Sequence, residues 1–482
     1  MVSSEVAPWA KTGGLADVLA GLPAALVRQG HRVTVVLPKY RGLEPTPVTV
    51  SRGEVALGAL RYPVEWHVRD GEDGVRTVFV GCPALFDRAG FYGAGGQDFA
   101  DNADRFALLA AAALDFAEAD GPAAATVVHA HDWQSGLVPV LLRTQPRRWP
   151  RLSRAGLVFT IHNLAYQGRF PKEIVPRLGL DWSVFTMDGA EFWNEFSFLK
   201  AGLAYSEYVT TVSPRYAVET LTPAFGYGFE GALQSIGERY FGILNGIDAQ
   251  TWNPETDPLL PAHYSARDLS GKRECKRALL NQFELPQGDD ALARPVVAMV
   301  SRLVAQKGLD WIEDAADELM ALDATWVIVG SGEKSYEQMW QRLHERHPSR
   351  VGVFFGFDEG RAHLAEAGAD LFLMPSRFEP CGLNQMYSLR YGTVPVVHAV
   401  GGLDDTIRTF RPNARHANGF KFSPGSGATL AATLRQALRL YHNPPQWARL
   451  MAEGMAEDHS WDQAAGEYVK VYKRARRDAR DR

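Results

Sequence analysis

Cysteine is scarce in this 482-residue sequence, which contains only Cys82, Cys275 and Cys381. Three cysteines this far apart provide neither a disulfide framework nor a cysteine-based metal site. Their scarcity favours a reducing compartment, so we expect a cytoplasmic protein. The start of the sequence also lacks a basic segment followed by an apolar run, the pattern that is typical of a signal peptide.

Long apolar runs and a basic excess are absent as well. No uninterrupted apolar run approaches the roughly 20 residues that a membrane-spanning helix needs, so we expect no membrane partner. The formal net charge is −5, which gives no reason to expect a nucleic-acid partner.

The composition that remains is that of folded domains, with 46% hydrophobic and 22% charged residues. A chain of this length exceeds what one hydrophobic core supports, which predicts two or three domains. Short apolar segments alternate with amphipathic helical segments, as in βαβ units with parallel sheets. We therefore predict an α/β protein with two doubly wound domains, comprising residues 1–245 and 246–458.

The predicted strands of the first half lie near residues 32–37, 77–80, 126–129 and 157–161. Those of the second half lie near residues 296–300, 326–329, 351–355, 371–374 and 395–397. Two predicted helices of the first half span residues 15–29 and 104–117.

Polar residues follow two predicted strands of the second half. The segment 371–386 carries Glu379 and Cys381 from a strand into a helix, at the sheet edge where open α/β folds bind ligands. An ordinary connection with one satisfied buried glutamate fits this segment equally well. Arg302 and Lys307 follow the strand near 296–300 and suit a diphosphate that is neutralised without metal. Solvated surface charge is the alternative for this pair.

The first half contains three comparable segments. Lys11 precedes the glycine pair Gly13-Gly14 at a helix start, which suits an anion, although a helix cap with a flexible lysine is the alternative. The sequence His129-Ala-His-Asp132-Trp133 invites a metal interpretation, but no third ligand lies nearby in sequence. A polar cluster that contacts hydroxyl groups is favoured, and His162 and Asn163 end a neighbouring strand.

Two nucleotide-binding patterns are missing. Val329-Gly-Ser-Gly332 follows a strand but lacks the third glycine of the dinucleotide fingerprint, which argues against NAD. The P-loop pattern G-x-x-x-x-G-K-[ST] is absent, which argues against a P-loop nucleotide hydrolase.

Six ordered segments resemble the signatures of the bacterial glycogen synthase and plant starch synthase family, and together they extend over nearly the whole chain. They are KTGGLADV (11–18), HAHDW (129–133), TIHNLAYQG (160–168), LNGID (244–248), SRLVAQKG (301–308) and PSRFEPCGL (375–383).

The resemblance implies a GT-B fold, in which two Rossmann-like domains face a central cleft and a C-terminal helix, here 459–482, packs back on the first domain. The implied enzyme is a retaining hexosyltransferase that transfers glucose from ADP-glucose to the non-reducing end of an α-1,4-glucan such as glycogen. It implies neither a metal nor a cofactor. The first domain is expected on the acceptor side, and the second is expected to bind the nucleotide sugar.

The resemblance also implies roles for individual residues. The residues expected to act in catalysis are Glu379, Lys307, Arg302, Asp132 and His162. The residues expected to bind substrate are Lys11, Gly13, Gly14, Asn163, Asn245, Cys381, Gly382, Leu383 and Tyr92. No metal ligand is expected among them.

Two features depart from the family pattern. Only Met1, Val2 and Ser3 precede Ser4-Glu5, where the family has a longer apolar strand at the centre of its sheet. Val400 stands before Gly401, where the family often has threonine, which removes one hydroxyl contact to phosphate.

No second carboxylate is an obvious partner for Glu379, so a glycosyl-enzyme of the kind that retaining glycosidases form is not indicated. We hypothesise a front-face transfer. A catalytically weak nucleotide-sugar-binding regulator with the same fold is the alternative function. An epimerase or a phosphorylase with this fold is disfavoured by the HAHDW and FEPCGL motifs.

Overall fold

A computed structural model describes residues 1–121, 124–412 and 416–481. The chain divides into two compact units. Unit 1 contains Met1–Gly246 together with Trp461–Arg482, and unit 2 contains Ile247–Ser460.

The strands of the described residues are β1 (Thr34–Pro38), β2 (Thr49–Leu57), β3 (Leu60–Asp70), β4 (Arg76–Gly81), β5 (Gly93–Ala94), β6 (Gln97–Asp98), β7 (Val127–His131), β8 (Gly156–Ile161), β9 (Arg169–Pro171), β10 (Glu191–Phe192), β11 (Glu195–Ser197), β12 (Tyr208–Thr211), β13 (Tyr240–Gly242), β14 (Val296–Val300), β15 (Thr325–Gly330), β16 (Val351–Phe355), β17 (Leu371–Met374), β18 (Val394–His398) and β19 (Phe420–Phe422).

The α-helices are α1 (Gly14–Arg28), α2 (Pro83–Phe86), α3 (Asn102–Ala119), α4 (Leu137–Thr144), α5 (Ile174–Arg177), α6 (Phe198–Tyr205), α7 (Pro214–Glu219), α8 (Glu230–Ile236), α9 (Ser270–Gln282), α10 (Asp289–Ala293), α11 (Leu309–Asp314), α12 (Ala316–Met320), α13 (Lys334–Arg346), α14 (Glu359–Gly368), α15 (Asn384–Arg390), α16 (Gly401–Thr406), α17 (Gly427–Tyr441), α18 (Pro444–Met455) and α19 (Trp461–Asp478).

Unit 1 contains two four-stranded groups, in the orders β13-β12-β8-β7 and β1-β4-β3-β2. Val2 joins them, because it forms parallel bridges to Ala130 of β7 and to Val36 of β1. Its amide donates to His129 O at 2.9 Å, and the His131 amide donates to Val2 O at 3.1 Å. The short segment ahead of Ser4 therefore lies in the middle of the unit 1 sheet.

The antiparallel hairpin β2–β3 was not predicted from the sequence. Residues 49–54 of β2 are all exposed, so the apolar signal that marks a buried strand is missing there. Strand β3 pairs antiparallel with β4, so the hairpin extends one edge of the unit 1 sheet.

Helix α19 packs on unit 1. Trp461 and Tyr468 are buried, and the Trp461 ring lies directly against Gly21 of α1. Further along the helix, the backbone at Ala475 lies against Gly156 of β8. The expectation that the C-terminal helix packs on the first unit is confirmed.

Unit 2 contains a fully parallel sheet in the order β16-β15-β14-β17-β18-β19. Side chains of a strand alternate between the two faces of a sheet. Accordingly, Val297 and Met299 of β14 join one hydrophobic core, whereas Val296 and Ala298 join a second core. The predicted α/β class is confirmed, and the bounds of β14, β16 and β17 match the prediction.

Candidate active site

The strand order of unit 2 reverses between β14 and β17. From β14 the chain proceeds outward to β15 and β16, and it then returns to β17 on the other side of β14. Open α/β sheets bind ligands at the carboxyl ends of strands that flank such a reversal. The segment with Arg302 and Lys307 follows β14, and the segment 375–383 follows β17. Sequence and topology thus select the same two loops.

These two loops are joined by an ion pair. Lys307 Nζ donates to Glu379 Oε2 at 2.6 Å, and Ser376 Oγ donates to the same oxygen at 2.8 Å. Glu379 is almost fully buried. Both contacts use Oε2, and no donor among residues 1–121, 124–412 and 416–481 contacts Oε1. One carboxylate oxygen is therefore fixed by the protein, while the other retains its capacity to accept a hydrogen bond.

Glycines allow the backbone around Glu379 to pack closely. Gly401 has φ 44°, and a Cβ atom there would lie 1.9 Å from Glu379 O. Gly382 has φ 71°, and a Cβ atom there would lie 3.1 Å from Glu379 Cγ. Both positions combine left-handed backbone with crowding, so only glycine is accommodated without strain. Gln385 Nε2 donates to Cys381 O at 3.1 Å, which further fixes this loop.

Arg302 is exposed at the same edge of the sheet. Its guanidinium contacts Gln306 Oε1 at 3.4 Å, and no carboxylate in the described part of the chain pairs with it. Leu383 immediately precedes α15. The structure thus brings Lys307 and Glu379 together, whereas Arg302 has no anionic partner within the described ranges.

Unit 1 has an equivalent reversal of strand order at Val2. From this central segment the chain passes to β1 on one side, and it later continues through β7 and β8 on the other side. The segment from Ser4 to Gly14 follows Val2, and Asp132 follows β7. Lys11 and Asp132 are therefore placed at the position where the unit 1 sheet is expected to bind a ligand.

Asp132 adopts an unusual backbone conformation, with φ 56°. Its Oδ1 accepts a hydrogen bond from the His162 amide at 2.7 Å. Burial raises the pKa of the Asp132 carboxyl to about 7, and the amides of His162 and Asn163 only partly oppose this effect. The nearby carboxylate of Glu5 raises the pKa further. The Asp132 carboxyl therefore loses its proton near neutral pH.

His162 contacts His131, the second histidine of the HAHDW motif, to which no role of its own was assigned from the sequence. His131 Nδ1 lies 3.0 Å from His162 Nε2, so one of these nitrogens donates to the other. Burial lowers the pKa of His162 to about 3, so its ring is neutral at ordinary pH. His131 is fully buried, and its Nε2 has no hydrogen-bond partner in the described part of the chain. We interpret His131 as the residue that fixes the tautomer and the orientation of His162.

The glycine loop is held by Glu5, which sequence reasoning also missed. Glu5 Oε2 accepts from the Thr12 amide and Oε1 accepts from Thr12 Oγ1, both at 2.6 Å. The Tyr92 hydroxyl donates to the same carboxylate, which places Tyr92 beside this loop. Lys11 is half exposed and pairs with Asp17 at 2.7 Å. Any anion that binds Lys11 therefore competes with Asp17.

The two predicted asparagines have different surroundings. Asn163 Oδ1 accepts from the Ala165 amide at 3.0 Å, which stabilises the turn after β8. Asn245 is buried, and no residue that the structure describes donates a hydrogen bond to its Oδ1. A buried carbonyl oxygen without a donor is costly in a folded protein, so Asn245 is suited to accept from a ligand.

Within residues 1–121, 124–412 and 416–481, no three histidine, cysteine, aspartate or glutamate side chains form a group that could hold a metal ion. Within the same residues, no helix is both long and apolar enough to cross a membrane.

Family models match both halves of the chain. Residues 1–235 match the model described as the starch synthase catalytic domain, and residues 283–450 match glycosyl transferases group 1. The glycogen synthase of Anaeromyxobacter dehalogenans is 49% identical over 473 residues, covering 98% of each chain. The glycogen synthase of Koribacter versatilis is 46% identical, covering 98% of this chain and 97% of its own.

Solved structures show the same relationship. The catalytic domain of starch synthase IV from Arabidopsis thaliana, bound to ADP and acarbose, matches with a TM-score of 0.89 and 33% identity over 98% of each chain. A sucrose-phosphate synthase from Thermosynechococcus elongatus matches with a TM-score of 0.58 and 17% identity, covering 98% of this chain and 97% of its own. The second likeness concerns the fold alone, which is the predicted GT-B fold.

Proposed function

The chain belongs to the glycogen and starch synthase family, and from this premise we propose that it extends α-1,4-glucans with glucose from ADP-glucose, with retention of configuration. It is a hexosyltransferase that transfers glucose to a glucan. The single structural observation that carries the proposal is the ion pair between Lys307 and Glu379, because it places a cation and a carboxylate together where the strand order of unit 2 reverses.

Unit 2 supplies the groups for the departing diphosphate. Arg302 and Lys307 follow β14, and their positive charges stabilise the negative charge that develops as the bond to the sugar breaks. Arg302 has no carboxylate partner among the described residues, so its charge is available to an anion. Lys307 shares its charge with Glu379 until the diphosphate binds.

Each unit carries side chains that can form hydrogen bonds with sugar hydroxyl groups. Glu379 accepts a sugar hydroxyl through Oε1, because Oε2 is already bound by Lys307 and Ser376. Unit 1 carries its own candidate sugar-binding groups, which are Asp132, neutral His162 and Asn245, whose Oδ1 has no hydrogen-bond partner among the described residues. Gly13, Gly14, Gly382 and Leu383 contribute backbone rather than side-chain groups.

The transfer takes place on one face of the sugar, by a front-face mechanism. The bond between the anomeric carbon and the phosphate oxygen breaks, and the acceptor hydroxyl oxygen bonds to the same face of that carbon. The hydroxyl proton passes to the leaving phosphate oxygen, so charge and atoms balance without a protein nucleophile. Mass spectrometry during turnover tests this route. A glucosyl adduct on Glu379 or Asp132 would contradict it, and unmodified enzyme is expected.

ADP-glucose is proposed as the donor because the Arabidopsis starch synthase IV structure contains ADP. Glycogen is proposed as the acceptor because the similar bacterial enzymes are glycogen synthases. We also propose a cytoplasmic location, which the three free cysteines favour. The comparisons provide no support for the nucleotide-sugar-binding regulator.

A donor comparison tests the proposal. The protein is incubated with glycogen and either ADP-glucose or UDP-glucose, and both nucleoside diphosphate release and chain length are measured. We expect faster release with ADP-glucose and one added glucose for each ADP. No extension with either donor would contradict the synthase function, and faster extension with UDP-glucose would contradict the donor assignment.

A further inference from the structure

Three exposed aromatic side chains lie together on unit 1. Tyr166 is 56% exposed, Trp193 is 74% exposed and Tyr227 is 41% exposed. A contiguous exposed apolar patch on a protein surface often marks a binding site. We call these three residues the aromatic surface.

Contacts show that the three residues are neighbours. The Trp193 ring lies beside Gly228, since a Cβ atom there would be 3.6 Å from Trp193 Nε1. Gln167 Nε2 donates to Tyr227 O at 3.0 Å, which ties the segment after Tyr166 to Tyr227. Burial raises the pKa of Tyr227, and the nearby Tyr166 phenol raises it further.

Two of the three residues occupy backbone conformations that disfavour large side chains. Trp193 has φ 54° and Tyr227 has φ 50°, both in the left-handed region. Trp193 and Asn194, with φ 63°, form the tight connection between β10 and β11, where Asn-Gly is the favoured pair. A bulky residue with positive φ is a backbone outlier and costs free energy. Neither burial nor local conformation explains why aromatic residues stand at these two positions.

One end of the aromatic surface adjoins the proposed sugar-binding residues of unit 1. The Tyr166 amide donates to Asn163 O at 3.2 Å, so Tyr166 lies one turn beyond His162 and Asn163. Trp193 lies further along, at the tip of the β10–β11 hairpin. The aromatic surface therefore begins beside Asn163, and its three side chains are all exposed.

A glucan chain has the chemistry that fits this arrangement. The faces of its glucose rings expose C–H groups that pack on aromatic rings, and the chain carries no charge to be neutralised. We propose that the aromatic surface binds the acceptor glucan several glucose units away from the transferred residue. This inference rests on the proposed function, because it assigns the aromatic surface to the acceptor of that reaction.

The test replaces the two strained residues by asparagine, which tolerates positive φ. The double variant Trp193→Asn/Tyr227→Asn is compared with wild type on maltotriose, maltoheptaose and glycogen. We expect the KM for maltoheptaose and glycogen to rise roughly tenfold, the scale on which truncating an aromatic anchor weakens binding. The KM values for ADP-glucose and maltotriose should change less than about twofold, because neither ligand reaches the aromatic surface.

Stability distinguishes binding from a structural role. Asparagine relieves the backbone strain, so we expect the Tm of the double variant to stay within about 2 °C of wild type or to rise. A matched control is Trp182→Asn, which removes another exposed tryptophan of unit 1 that is not among the residues with positive φ. We expect wild-type KM values for this control.

Binding is also measured without turnover, by electrophoresis through gels that contain glycogen. Loss of retardation in the double variant alone would support the inference. Wild-type retardation and KM values in the double variant would overturn it, as would an equal effect of Trp182→Asn. If the double variant sedimented as a smaller species than wild type, the aromatic surface would instead contact a second copy of the chain, and the inference would be overturned. If wild-type protein binds glycogen but adds no glucose, the proposed function is wrong. The inference is then decided by the gel alone, from the retardation of wild type compared with that of the double variant.

Discussion

Glu379 illustrates how one residue combines a structural contact with a proposed catalytic role. Its Oε2 is held by Lys307 and Ser376 in a nearly buried setting, while Oε1 has no described donor. Breaking a buried ion pair is costly when one charge is left without a partner. Glutamine keeps the size of the side chain and one acceptor oxygen, and it therefore separates the charge from the packing.

We predict that Glu379→Gln lowers kcat by about 100-fold or more, since it removes charge stabilisation that is used in the transition state. The free energy of unfolding should fall by less than about 3 kcal/mol. The matched control is Asp310→Asn, which breaks the exposed ion pair with Arg377 of the same loop. Surface pairs contribute little, so this control should keep nearly wild-type kcat. Wild-type turnover in Glu379→Gln would show that the proposed catalytic loop is wrong.

Protonation of Asp132 makes the stability of the folded protein depend on pH. Its pKa is about 7 in the folded protein and about 3.9 in an unfolded chain. The folded state therefore binds the proton more tightly. The resulting stabilisation is complete below about pH 4 and is lost as the pH rises through about 7.

We accordingly predict that Asp132→Asn raises the Tm relative to wild type at pH 8 and has a smaller effect at pH 5, because asparagine has no charge to bury. Thermal unfolding at the two pH values measures the difference. An equal shift at both pH values would contradict the assignment. His162 is held neutral by its folded-state pKa of about 3 and is protonated in the unfolded chain near pH 6.5, so it also affects stability in this range, but it does so in both proteins and cancels from the difference between them.

At the level of secondary-structure elements, the contact between α1 and α19 decides the effect of glycine replacements. Gly21 of α1 faces the buried Trp461 ring, and a Cβ atom would lie 1.9 Å from Trp461 Nε1. Gly466 of α19 has open space at the same position. Alanine favours a helix over glycine by about 0.5–1 kcal/mol, whereas overpacking costs about 1–3 kcal/mol.

We therefore predict opposite signs for the two replacements. Gly466→Ala should raise the free energy of unfolding by up to about 1 kcal/mol, because only helix propensity changes. Gly21→Ala should lower it by about 1–2 kcal/mol, because the overlap with Trp461 outweighs the propensity gain. Chemical denaturation of both variants provides the comparison. Stabilisation by Gly21→Ala would show that α19 does not pack on α1 in this way.

The success of sequence prediction also differs between elements. Strands β14, β16 and β17 match their predicted bounds, because buried parallel strands are short apolar runs. The β2–β3 hairpin was missed because one of its strands is mostly exposed. The roles of Glu5 and His131 were missed for another reason, although both residues lie in segments that were named from the sequence. Their roles depend on partners distant in sequence, Tyr92 and His162, and no local pattern marks such contacts.

For the whole molecule, the two units share one principle of construction. Each has a sheet whose strand order reverses, and each carries candidate residues on the loops at that point. We propose that unit 2 binds the nucleotide sugar and that unit 1 provides sugar-facing and acceptor-binding groups. The individual site residues remain predictions, whereas the fold and the family follow from similarity over nearly the whole chain.

The central claim is a retaining transfer of glucose from ADP-glucose to a glucan. It is tested most directly by following ADP-glucose labelled with ¹³C at the anomeric carbon in the presence of maltoheptaose by NMR. We predict a labelled α-1,4-linked glucose at the non-reducing end of the product, with one ADP released for each transfer. A β-linked product, or labelled glucose released to water without chain extension, would contradict the account.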